Sequence, residues 1–269
     1  MGTDIKEYII GTIREFVAEE NMQCSMKDLW REPLVGFADV NDPYIRQLRS
    51  IVHKEHQMPE EVMSDASIVI VYFVPFSMWL ADTNRGNEMS SPEWAQAYEE
   101  TNAMFARLNA HIISELHKIG YKGKTAPEAQ VFHRDEVMSH RSFRHFAYAA
   151  GLGTFGLNNM LITEKGCAGR VNTVVTDLDI EGGKPRTEEL CLFRKNGTCG
   201  LCVRKCPAGA LTETGFDRHK CFEQCLKNAA VYTGFGSSYA SEAGGEAENS
   251  GSEVCGKCVA GMPCTYKMP

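Results

Sequence analysis

The sequence predicts an α+β fold in two parts, an α/β domain over residues 1–185 and a cysteine-rich domain over residues 186–269. Three observations carry this reading. A nearly continuous run of β-branched and aromatic residues at 67–76 reads as a strand covered on both faces. Apolar residues recur at three- and four-residue spacing at 5–17 and again between 91 and 119, the period of an amphipathic helix. Nine of the eleven cysteines lie from Cys191 onward. With 269 residues, 43% hydrophobic and 23% charged, the chain is long enough for one large or two modest domains.

In chain order, Ile5, Ile9, Ile10, Ile13, Phe16 and Val17 form the apolar stripe of a first helix. Residues 34–40 read as a short strand ending in the turn Asn41, Asp42, Pro43. A helix is expected to start there, with Asp42 as N-cap and Pro43 in its first position. The strand at 67–76 follows. Ser91 and Pro92 then open a long helix to about residue 119, with Phe105, Leu108, Ile112 and Leu116 on one stripe. A helix at 143–150 and strands at 160–163 and 171–180 complete the first domain. Between Gly234 and Glu253 the Gly, Ser, Ala and Glu content suits a solvated insertion, with an ordered lid as the alternative. Trp30, Trp79 and Trp94, like Cys24 and Cys167, are read as packing residues.

The net charge of −7 argues against a broad phosphate-binding surface, because nucleic-acid binders carry a basic face. The longest apolar stretch, residues 66–76, is about eleven residues and too short to span a bilayer. No signal peptide is recognisable, and abundant thiols fit a reducing, cytoplasmic compartment.

The chemistry lies in the cysteines. Cys199, Cys202 and Cys206 followed by Pro207 form a C-x-x-C-x-x-x-C-P run, with Cys191 upstream and Cys221, Cys225, Cys255, Cys258 and Cys264 downstream. In two-cluster ferredoxins the cysteine before such a proline ligates the other cluster. By that rule one [4Fe–4S] cluster takes Cys191, Cys199, Cys202 and Cys264. The other takes Cys206, Cys255, Cys258 and either Cys221 or Cys225, with Cys221 preferred. Structural zinc is the rival reading, since paired C-x-x-C elements also build four-thiolate sites.

Upstream, Gly151, Gly153 and Gly156 mark backbone that turns sharply or approaches something closely. They match G-x-G-x-x-G literally, but they follow a helix and lead into a strand, the reverse of a dinucleotide-binding loop. The densest polar segment is 132–145. There His140 with Arg144, and Arg141 with His145, have the spacing of pairs on one helix face, able to grip a phosphate or an anionic substrate.

The segment Ala150-Gly151-Leu152-Gly153-Thr154-Phe155-Gly156-Leu157-Asn158, the strand ending at Thr176, Asp177 and Leu178, and the two-cluster cysteines resemble epoxyqueuosine reductase and the related cobalamin-dependent reductive dehalogenases. The resemblance covers residues 130–266. It implies a nitroreductase-like α/β domain holding cobalamin and a ferredoxin-like domain feeding it electrons. Gly153, Thr154, Phe155, Gly156, Leu157 and Asn158 would then line the corrin or its nucleotide tail, and Arg141, from the polar segment, is the residue able to grip a cofactor phosphate. Asp135 is the implied proton donor, with His140 as its alternate. The family's Trp and Lys positions are Phe155 and Leu157 here, and no tRNA-binding helical repeats follow Cys264. The expected function is a cobalamin-dependent reductase acting on a small molecule and fed by a low-potential ferredoxin or flavodoxin. The alternative is a non-catalytic electron-transfer or corrinoid-handling protein that reduces a partner's cofactor.

Overall fold

Val69 and Val71 point to one side of their strand, while Ile68, Ile70, Tyr72 and Val74 point to the other. Each set enters a different hydrophobic core. This strand is the organising element of a computed structural model that describes residues 2–127, 131–240, 242 and 251–269. In chain order its neighbours are helix α1 (Gly2–Gln23), strand β1 (Leu34–Asp39), helices α2 (Leu48–Ile51) and α3 (Pro59–Val62), and the strand itself, β2 (Ile68–Pro75). Helices α4 (Met78–Thr83) and α5 (Pro92–Lys118), strand β3 (Gly123–Lys124), helix α6 (Phe143–Ala149) and strands β4 (Gly153–Phe155), β5 (Leu161–Thr163) and β6 (Gly169–Thr176) follow. Helices α7 (Leu192–Asn196), α8 (Leu201–Arg204) and α9 (Arg218–Val231) lie in the cysteine-rich part.

The main sheet runs β1-β2-β6-β3 and every pairing in it is antiparallel. α1 and α5 cover one face: Ile9, Ile13 and Val17 meet Leu108, Ile112 and Leu116 in the same core as Tyr72. The Tyr72 hydroxyl, fully buried, donates to Asn109 Oδ1 on α5 (2.7 Å). On the other face Phe146, Ala147 and Ala149 of α6 pack with Val69 and Val71. The sheet is therefore a middle layer, which is why β2 is buried at every position. α5 begins as its sequence predicts, with Ser91 Oγ accepting from Trp94 N (3.1 Å) and Pro92 in the first turn.

Two expectations need correction. The helix after β1 begins later than Asp42. Asp42 Oδ1 instead accepts from Tyr44 N (2.8 Å) in a local turn, and a single 3-10 turn over Ile45–Gln47 precedes α2. His140 and Arg141 also lie ahead of α6, which starts at Phe143 with Ser142 as N-cap, so neither can share a helix face with its partner. Residues 133–138 instead fold back on themselves through a His133–Met138 bridge. The insertion expected between Gly234 and Glu253 falls partly outside the described residues. At its edges Ala240 bridges to Val131, and Ser252 is buried.

The glycine segment forms a β4–β5 hairpin. A Cβ on Gly153 would collide with the carbonyl oxygen of Ile162, and Gly151 adopts φ +78° against the carbonyl of Lys184. The partner these glycines approach is the chain's own backbone. Beyond residue 185, Leu190, Cys191, Val254 and Val259 join the same buried core as Ile9 and Tyr72, so the cysteine-rich part is packed directly on the sheet layer.

Candidate metal centres and an adjoining cavity

Cys191, Cys199, Cys202 and Cys264 line one small pocket, together with Gly156, Leu157 and Asn158. Local geometry turns the thiols inward. Cys191 caps α7, which ends at Gly197 with φ +73°. Gly200, with φ +89°, then starts α8, which carries Cys202. Cys264 is tied back to the sheet because its carbonyl accepts from Cys167 N (2.8 Å), and Thr265 O accepts from Ala168 N (3.1 Å). This places the Cys167 and Cys264 sulfurs 3.7 Å apart.

Cys206, Cys221, Cys225, Cys255 and Cys258 form a second group. α9, capped by Asp217 accepting from Lys220 N (3.1 Å), presents Cys221 and Cys225 one turn apart. Burial pushes the Cys258 thiol well above its usual range, and Cys255, Cys221, Cys202 and Cys206 add to the shift. Burial likewise raises Cys255 and Cys202 to about 11 each. Cys221 and Cys225 share a proton, which lowers the first and raises the second. The influence of Cys202 on Cys258 shows that the two groups adjoin. Asn158, from the wall of the first pocket, donates to the Cys258 carbonyl (2.9 Å).

All eleven cysteines are free. Thiols packed this closely cannot ionise together without a cation among them, and metal binding is what releases their protons. An all-sulfur donor set suits iron–sulfur clusters or zinc. The residues fit such a group.

A cavity of about 580 Å³ lies between α5, β6 and the segments around residues 131–143 and 235–240. Its size is typical of a cofactor or ligand site. Arg170 lies over the Tyr98 ring (4.0 Å), whose hydroxyl donates to Tyr239 Oη (2.8 Å). Glu99 also lines it; burial raises its pKa even though Ser252 Oγ donates to it (2.9 Å). Arg144 Nη1 donates to Asn159 O; burial lowers its pKa, with Cys258, Tyr239, Cys221 and Arg170 as the next influences on it.

The structure brings together the eight cysteines singled out in the sequence, in two groups, and adds Cys225 to the second. The glycine segment lies in the β4–β5 hairpin and beside the first cysteine pocket. Gly153 and Thr154 are buried in the hairpin, where Thr154 Oγ1 donates to Glu189 (3.3 Å) and accepts from Leu190 N (3.1 Å). Phe155 packs on His145 (4.7 Å), and Gly156, Leu157 and Asn158 face the first cysteine pocket. Asp135 is exposed on a tight turn, and neither it nor His140 is among the cavity-lining residues. Arg141 is 3% exposed and stacks on Phe146 (4.5 Å). Sequence reasoning missed Glu99, Arg170, Tyr98 and Tyr239. Only tertiary contact identifies them.

Fold and site together define a mixed α+β protein with a thiol-rich C-terminal third. Among solved structures it is similar to selenomethionine-labelled epoxyqueuosine reductase, at 16% identity and TM-score 0.57, over 98% of this chain and 66% of that one. It is similarly close to epoxyqueuosine reductase with a tRNA-Tyr epoxyqueuosine-modified stem loop (15% identity, TM-score 0.57, 98% and 66% covered). A reductive dehalogenase, whose structure suggests a mechanism for B12-dependent dehalogenation, matches at 16% identity and TM-score 0.43 over 66% of this chain and 23% of that one. The fold is that of epoxyqueuosine reductase, one of the families that the sequence resembles. The chain spans about two thirds of the length of those reductases. No protein-family model and no curated protein matches the chain.

Proposed function

We propose that this protein is an iron–sulfur reductase. Cys191, Cys199, Cys202 and Cys264 hold one [4Fe–4S] cluster, Cys206, Cys221, Cys255 and Cys258 hold a second, and a corrinoid of the cobalamin type occupies the neighbouring cavity. One observation carries the reading: the two cysteine groups adjoin, with Cys206, Cys258 and Cys264 packed around Cys202, in the part of the chain that also supplies Tyr239 to the cavity. Thiols, cavity and fold support it together. Residues 1–185 then serve as a nitroreductase-like cofactor domain and 186–269 as a ferredoxin-like electron-entry domain.

The cavity suits a corrinoid because Asn102, Asn109, Ser139, Asn172 and Thr173 supply hydrogen bonds to a carboxamide-rich rim. When bound, such a group supplies a cobalt centre that collects single electrons. The chain's own residues do the rest. Arg170 gives the cavity a positive charge on its wall, and Tyr98 and Tyr239 hold it in place. Glu99, whose pKa burial raises, is the carboxyl group that the cavity offers as an acid to a reduced product. Asp135 would have to swing inward from its exposed turn to take that role. The substrate is a small molecule, and a low-potential ferredoxin or flavodoxin is the donor. The net charge of −7 weighs against tRNA, although an epoxyqueuosine reductase with a tRNA stem loop shares the fold.

The test is anaerobic purification with added cobalamin, followed by iron and cobalt counts. The expected result is about eight irons and one retained corrinoid per chain. Zinc in place of iron would overturn it. A second reading, an electron-transfer protein serving a partner's cofactor, is favoured by the position of residues 153–158 outside the cavity. Iron without corrinoid retention would establish that one.

A further inference from the structure

Away from the cysteines, three histidines stack. His53 lies on His140 with ring centroids 4.2 Å apart and planes at 17°, and His133 covers the other face of His140 at 3.7 Å and 13°. Both edges of His140 face carboxylates: Nε2 is 2.5 Å from Glu136 Oε2, and Nδ1 is 3.6 Å from Glu55 Oε2. His53 has Nε2 3.7 Å from Glu136 Oε2, while its Nδ1 accepts a long hydrogen bond from Glu55 N (3.3 Å) that coordination through Nδ1 replaces. One donor atom each from His53, Glu55 and His140 lies within 4.8 Å of the other two.

We propose that His53, Glu55 and His140 bind one divalent metal ion of the zinc class, with Glu136 orienting the imidazoles from behind. Two imidazoles and a carboxylate select a borderline transition metal over calcium or magnesium. A metal-bound histidine characteristically donates its other N–H to a carboxylate, and Glu136 stands where His140 Nε2–H would donate. The His140 Nδ1 lone pair is then aimed toward Glu55. Two carboxylates also offset the charge of a dication beside a histidine that is only 5% exposed. The 61% exposure of the Glu55 side chain keeps the site open to an entering ion and its remaining waters. Parallel rings cannot both aim a lone pair at one ion, so binding tilts His53 away from its stack.

The ion would clamp two loops that are already laced together. Gln57 N donates to His140 O (2.8 Å), Arg141 Nη1 to Gln57 O (3.0 Å), and Ser142 N to His56 Nε2 (3.1 Å). Ser139 and Phe143, on either side of His140, line the large cavity. A metal held here fixes that wall without touching the cysteines.

The experiment is Zn²⁺ titration of anaerobically purified, cluster-loaded protein. Zinc and iron are counted after desalting, and X-ray absorption is recorded at the zinc edge. The expected result is one zinc per chain with iron unchanged and nitrogen and oxygen scatterers only. His53→Gln and Glu55→Gln, both at partly exposed positions, should each weaken zinc binding about tenfold or more while the far-ultraviolet circular dichroism stays the same. Sulfur scatterers at the zinc edge, no stoichiometric zinc, or equal affinity in both variants would overturn the assignment.

Discussion

Cys221 and Cys225 stand one helical turn apart on α9 and interact with each other, so at the residue scale the proposed second cluster has five thiols for four positions. Cys221→Ser should remove about four of about eight irons, and Cys225→Ser should leave the iron count unchanged. The reverse pattern would exchange their roles. His145 offers a second prediction. Burial, then Arg144, pushes its pKa from 6.5 down to about 4. The unfolded chain therefore takes up this proton first as the medium is acidified. The stabilisation from the neutral imidazole is complete above pH 6.5 and declines as the pH falls toward 4. Thermal melts across that window should show a shallower decline for His145→Asn than for the natural protein.

At the scale of elements, much was legible where local physics decides. β2 announces itself by a run of β-branched and aromatic residues, and α5 by Ser91, Pro92 and a four-residue apolar stripe. Ser91→Ala removes one hydrogen bond to the first turn and should destabilise the protein by about 1 kcal/mol, read as a lower denaturant midpoint at an unchanged slope. The start of α6 at Phe143 was legible, but the segment before it was not: 132–142 carries the charges of a solvated helix, yet its backbone is committed elsewhere, to the His133–Met138 bridge and to Gln57. β4 was hidden for a related reason: a strand of three residues containing Gly153 has no periodicity, and only Ile162 across the hairpin explains it. The cysteine groups were legible from spacing. The pairing of Cys167 with Cys264 was not, because 97 residues separate them.

For the whole molecule, the sheet is a layer shared by two cores, and the cavity opens along the edge where α5 and β6 meet the cysteine-rich part. Its acid, Glu99, is held by Ser252, far along the chain but close in space. Glu99→Gln keeps the shape and removes the proton. If Glu99 is the donor, turnover should fall about 100-fold or more with iron content unchanged. Undiminished consumption of reductant by the variant would leave Glu99 a structural role only. Among the described residues no helix is long and apolar enough to cross a membrane.

The backbone bonds from Cys167 and Ala168 to Cys264 and Thr265 also set a timetable for biosynthesis. A ribosome that has just finished β5 must add the 97 residues from Cys167 to Cys264 before the first cysteine pocket can close, roughly 5–20 s at ordinary elongation rates. Until then the seam that receives Val254 and Val259 stays open to water, and the thiols made earlier wait without their fourth companion. Under the proposed function, loading of a cluster at that pocket is therefore a late event, after Cys264 has been made.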